Sequence, residues 1–147
     1  MVALILVAVT GEGSAKVARH EAIAAGAFEV TMAPAAAPDP AMAVWTLART
    51  FHGDLSATSV GQMLSAGDPA KGAAGYVAVE QVTGTLAGRT GGFAYQHSGT
   101  MTVGTSSLAI TVVPGSATGG LTGLAGTMAI AVADGQHRYT FRYTLPD

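Results

Sequence analysis

The sequence predicts an all-β domain, a closed eight-stranded antiparallel β-barrel preceded by an N-terminal extension, and three observations carry the prediction. After the Pro/Ala loop Pro34–Pro40 the chain is a succession of short Thr/Val/aromatic runs punctuated by Gly, Asp-Pro, Pro-Gly and Asp-Gly, which is the signature of a β-meander. The runs alternate with period two, most clearly at the end, where His137, Tyr139, Phe141, Tyr143 and Leu145 share one face and Gln136, Arg138, Thr140, Arg142 and Thr144 the other; successive strand side chains point to opposite faces. The turn dipeptides between runs, finally, set strand registers that agree with this alternation.

Taken in order, the apolar run Met1–Val9 followed by Gly-Glu-Gly-Ser-Ala superficially resembles a secretory signal, but no positive residue precedes it. Residues 1–25 are therefore set apart as an extension, with room for a short helix over Ser14–Ala25, and residues 26–147 form the barrel domain. Strands are expected near Ala27–Met32, Val44–His52, Leu55–Leu64, Gly75–Thr85, Thr90–Met101, Ser106–Val113, Thr127–Val132 and Gln136–Leu145. Eight strands suffice to close a barrel.

Three turns fix the pairing. Asp134-Gly135 suits a two-residue hairpin, because both central positions need positive φ, and pairs Val132 with His137, Ile130 with Tyr139 and Met128 with Phe141. Ala87-Gly88 likewise sets Val82 opposite Phe93, Glu80 opposite Tyr95 and Ala78 opposite His97, and a Gly53-Asp54 turn sets Leu47 opposite Val60 and Arg49 opposite Thr58. The stretch Gly84–Phe93 is echoed by Gly119–Met128. No helix pattern follows either copy, so these glycines are read as turn and bulge residues and not as a phosphate-binding loop.

Composition narrows the function classes. At 147 residues the chain suits one core, and 49% hydrophobic against 11% charged residues excludes disorder. Seven Lys and Arg against nine Asp and Glu, with no basic run, remove the clustered cations that nucleic-acid binding needs. No stretch of eighteen apolar residues is present, so no membrane span is expected, and the reading is a cytoplasmic protein, or an exported one if the first residues act as a signal. The absence of cysteine excludes disulfides and thiolate metal sites. With so little charge, some outer faces must be covered with Thr, Ser, Ala and Gly or be buried in an oligomer, and a homo-oligomer is expected.

Parity places nearly all large apolar side chains on the inner face: Phe28, Val30, Leu47, Phe51, Tyr76, Val82, Phe93, Tyr95, Leu108, Ile110, Val112, Tyr139 and Phe141. Trp45 shares the parity of Leu47. The same face carries four ionisable groups, Arg49, Glu80, His97 and His137, together with tyrosine hydroxyls. A carboxylate inside an apolar barrel must be paired or neutralised, so Glu80 needs either Arg49 or a raised pKa. Glu80 and His97 are the candidate proton-handling residues, and Arg49, Tyr76, Phe93, Tyr95, His137, Tyr139 and Phe141 the candidate ligand-binding ones. A filled interior in which Arg49 and Glu80 only fix strand register is the competing reading. His97, His137 and Glu80 lie on different strands without ligand-type spacing, so no metal is expected, nor any cofactor. No nucleophile elbow, Walker loop or Ser-His-Asp pattern occurs.

The run Gly75-Tyr-Val-Ala-Val-Glu80-Gln-Val-Thr-Gly84-Thr-Leu-Ala-Gly-Arg89-Thr-Gly-Gly-Phe93-Ala-Tyr-Gln96-His97-Ser-Gly-Thr100, with Val112-Val-Pro-Gly-Ser-Ala-Thr-Gly119 and Gly123-Leu-Ala-Gly126, resembles the family of domain of unknown function 3224, over roughly Ala27 to Leu145. The resemblance implies a small antiparallel, calycin-like barrel similar to allene oxide cyclase, and no assigned reaction. The sequence departs from the family pattern with Gln81 at a usually basic position and Thr90 where Ser is usual. Three functions follow as expectations: a binding module for a small apolar organic ligand in the interior, a cofactor-free cyclase or isomerase using Glu80 and His97, or a filled structural barrel.

Overall fold

The computed structural model describes residues 19–147. It has nine strands: β1 (Arg19–Ala35), β2 (Met42–Gly53), β3 (Leu55–Asp68), β4 (Ala73–Leu86), β5 (Arg89–Thr102), β6 (Thr105–Val112), β7 (Thr118–Gly119), β8 (Ala125–Ala133) and β9 (Gln136–Pro146), with one 3-10 turn at Pro69–Lys71. All neighbours pair antiparallel, and eight strands close a ring in the order β1-β2-β3-β4-β5-β6-β8-β9 and back to β1. β7 pairs only with Gly91 and Gly92 of β5, covering the part of β5 beyond the last β6 pair, Tyr95–Val112. The link between β6 and β8 is two residue pairs long, Ile110–Met128 and Thr111–Thr127. No helix among the described residues is long and apolar enough to cross a membrane.

Two expectations about the backbone are corrected. Residues 19–25 belong to the barrel: β1 begins at Arg19 and pairs with β9 from Pro146 down to His137, so the short helix drawn over Ser14–Ala25 is strand as far as it is described. Alanine favours helix, but the carbonyls and amides of β9 need a partner, and Ala24 is buried beside its register partner Phe141. The signal-like run at the start lies outside the described residues.

The Gly53-Asp54 turn, in turn, sets a register one residue away from the expected one. Arg49 faces Ser59 and Leu47 faces Gly61, which sends Val60 outward. Asp54 does not adopt the positive φ of a type I′ hairpin but is tied to β1, its amide donating to Ala25 O at 3.1 Å and its carboxylate accepting from Ala25 N at 2.9 Å. Tyr139 completes the turn from across the barrel: its hydroxyl accepts from Leu55 N and donates to His52 O, both at 2.9 Å. At Ala87-Gly88 and Asp134-Gly135, where both residues do have positive φ, the pairings are those expected.

The two ends of the barrel differ. Near the β2–β3 and β4–β5 turns, Leu55, Leu86, Leu121, Leu124 and Leu145 are all buried, and Arg89 Nη1 donates to Pro146 O at 2.6 Å, so this end is plugged. Above it, Phe93 stacks on Phe141 with ring centroids 5.9 Å apart, and Phe51 meets Tyr139 edge-on at 5.6 Å. At the far end, residues of inward parity such as Met32, Met101, Leu108 and Val132 are exposed; this end is open. The side chains read as inward are mostly buried, Leu108 at the open end being exposed; Val60, expected opposite Leu47, instead stands on the outside with Val77 and Val79, at 63%, 57% and 55% exposure.

Candidate functional site

The inward alternation of β4 brings Tyr76, Ala78, Glu80 and Val82 into the barrel, and Glu80 arrives at mid-height opposite Gly61 of β3 and Tyr95 of β5. Gly61 makes this placement possible, since a Cβ there would lie 2.6 Å from Glu80 Cγ. The Glu80 side chain is fully buried. Arg49 from β2 donates its Nε to both carboxylate oxygens, at 3.0 and 3.1 Å. Ser59 Oγ donates to Oε1 at 2.9 Å, and His97 Nε2 donates to Oε2 at 2.8 Å. The Tyr95 hydroxyl also favours the charged form of Glu80. His97 Nδ1 lies 3.0 Å from the Tyr76 hydroxyl, which carries the network toward the open end.

These contacts decide the charge state. Burial by itself pushes the Glu80 carboxyl up, but the His97 hydrogen bond, the Arg49 charge and the hydroxyls of Ser59 and Tyr95 outweigh it, and the group is held below its usual range. Of the two options open from the sequence, pairing with Arg49 is therefore the one realised, and Glu80 is a carboxylate. Burial raises the pKa of both Tyr95 and Tyr76, offset in part by Arg49 and reinforced by Glu80, so both phenols keep their protons.

Arg49 is engaged on one side only. Its guanidinium lies 4.9 Å from the Phe28 ring centroid, and its side chain is 11% exposed. Nε is spent on Glu80, whereas Nη1 and Nη2 have no hydrogen-bond partner among the described residues. Part of the Arg49 side chain stays exposed, and Glu80 uses only one of its three nitrogens.

The other candidates fall into two groups. His137 is half-buried and stacks on Phe28 at 5.1 Å, and Tyr76 is half-buried at the open end. Phe93, Tyr139 and Phe141 belong to the packed core below: the gap lined by Phe93, Tyr95, Ile110, Val112, Met128 and Phe141 has no room for a water molecule, and Tyr139 spends its hydroxyl on the β2–β3 turn. Glu80 and His97 are both buried, above this packed core and below the half-buried Tyr76. No group of three metal-ligating side chains is assembled among the described residues. Ser59 was missed because the misjudged turn placed Thr58 inside; the polar series Ser56, Thr58, Gln62 was the sequence signal for the outward face of β3.

A small closed antiparallel barrel, plugged at one end and crossed at mid-height by a buried carboxylate–guanidinium–imidazole layer, is the class this fold and site define. The chain belongs to the family of proteins of unknown function DUF3224, whose family model matches residues 24–143. Among solved structures it is similar to a protein of unknown function from the DUF3224 family of Shewanella oneidensis MR-1, at 44% identity over 87% of this chain and 99% of that one, with a TM-score of 0.81. No curated protein matches the chain.

Proposed function

We propose that the protein binds a small, mostly apolar organic molecule in the open half of the barrel, with Arg49 as its polar anchor. The observation that supports this reading is the half-used guanidinium: a cation held by Glu80 and Phe28, partly exposed, with two N–H-bearing nitrogens that Glu80 does not engage. A guanidinium edge of this kind is matched by a carboxylate or another planar oxygen pair. Around it the half-buried Val30, Trp45, Met63 and Ile130, all of inward parity, supply an apolar wall, as small-molecule sites usually do. Mass spectrometry of small molecules released from the purified protein tests the reading directly, and medium-chain and cyclic carboxylic acids are the first compounds to try in a thermal-shift panel. A ligand at one hundred times its Kd stabilises by about 2.7 kcal/mol, a rise of several degrees; a panel without any shift, together with nothing copurifying, would remove the proposal.

A second reading, cofactor-free isomerisation, is favoured by the continuous Tyr76–His97–Glu80 chain, which offers a path for a proton between the open half and the buried carboxylate. Here Glu80 and His97 work through Tyr76, the member of the chain nearest the opening. Tyr76→Phe should leave ligand binding within a few-fold and abolish turnover of the copurifying compound. Unchanged turnover would rule the path out.

A further inference from the structure

A groove of about 1450 Å³ runs over the outside of the barrel, its floor formed by outward side chains of β1 to β6 that include Val60, Leu64, Val77, Val79, Ala109 and Thr111. A second concavity of about 500 Å³ continues it toward Met42 and Thr100. No described residue lining either one is Asp, Glu, Lys or Arg. Outward positions beyond the groove are different: the first part of β1 carries Glu21 and Glu29, and β9 carries Arg138 and Arg142, all exposed. The outward charge of these strands is thus gathered on β1 and β9, and the face over β3 and β4 presents the exposed valines Val60, Val77 and Val79. Contiguous apolar surface of this kind on a protein that must stay dispersed marks a surface that is covered.

We propose that this face is the contact between two copies of the chain, forming a two-fold dimer. The chemistry of the face selects the occupant. A charged partner would find no counter-charge, whereas a second copy, which carries the same net charge of −2, can approach without repulsion only through a surface that leaves its charges out. The shape fits as well. A barrel is convex around its girth, and the groove is concave along the strands, so the face is a saddle, and two equal saddles mate when crossed near a right angle, the orthogonal mode of sheet packing. Such a contact is isologous and closes at two subunits. A closed ring of eight strands turns about four of them to one partner; at about 4.8 Å per strand and about 3.3 Å per residue over seven residues this is a projected face of roughly 450 Å², which side-chain relief brings toward the roughly 600 Å² per partner at the small end of stable interfaces.

Light scattering on the full chain at micromolar concentration should give twice the 14.6 kDa of one copy. Val79→Lys should bring the mass down to one copy with an unchanged circular dichroism spectrum, and Arg138→Ser on the opposite side should not. Because the chain has no cysteine, single cysteines provide a second route that does not depend on a tolerated lysine: Val77→Cys should give a disulfide-linked dimer on mild oxidation, and Thr140→Cys should not. A monomeric wild type, a mass above two copies, a dimer that Val79→Lys leaves intact, or equal cross-linking from both cysteines would each overturn the proposal.

Discussion

Glu80→Gln keeps the shape of the side chain and removes its charge, and the structure sets the cost. Arg49 remains 89% out of water with its counter-ion gone, and the amide nitrogen must face one of the N–H or O–H donors that now converge on the carboxylate from Arg49, Ser59 and His97. Removing one partner of a buried ion pair costs about 3–5 kcal/mol; at roughly 4 °C per kcal/mol for a domain of this size, Tm should fall by about 12–20 °C. The pH dependence has a definite sign. A carboxyl held below its usual value of 4.5 contributes stability that is present above that value and lost as the pH falls through the folded pKa. Urea titrations from pH 7 downward, followed by the fluorescence of the single tryptophan, Trp45, should therefore show wild type and Glu80→Gln converging below about pH 4.5. Adding Arg49→Met to Glu80→Gln removes the stranded cation and should recover at least half of the loss. The reasoning fails if Glu80→Gln costs less than about 1 kcal/mol, or if the double variant is no better than the single one.

Two further substitutions probe how the layer and the turn are held. Gly61→Ala places a methyl against the Val79 carbonyl and 2.6 Å from Glu80 Cγ and should cost about 1–3 kcal/mol by overpacking, read as a lower urea midpoint at constant m; an unchanged midpoint would mean that β3 and β4 can separate there freely. Tyr139→Phe strips the buried Leu55 amide of its acceptor and should cost about 1–3 kcal/mol, with faster hydrogen exchange at Leu55 as the local signature. An exchange rate equal to wild type would show that the turn does not depend on the tyrosine.

Much of the ring was legible in the sequence because two of its turns are chemically explicit. Ala87-Gly88 and Asp134-Gly135 take the positive φ values of a two-residue hairpin, so the registers of β4 with β5 and β8 with β9 follow from counting, and with them the meeting of Glu80, Tyr95, Tyr76 and His97. The β2–β3 turn was not legible, because its geometry is imposed by Ala25 and Tyr139, one from a segment read as an extension and one nearly ninety residues away in the chain. That single slip hid Ser59. Parity also tells which face a residue occupies but not its height in the barrel, which depends on strand tilt and stagger. Phe93, Tyr139 and Phe141 share the parity of Arg49 and Glu80 yet lie in the plugged half, and nothing in local alternation distinguishes the two levels.

The short link between β6 and β8 bears on where the ring is weakest. Around the rest of the circumference the backbone ladder runs for eight to fourteen consecutive pairs, whereas here it holds at Ile110 and Thr111 alone, and toward the mouth the two strands part beside the exposed Leu108. A hoop yields at its weakest joint. The ring is therefore thinnest between β6 and β8, where parting the strands gives up two rungs and leaves the leucine plug in place.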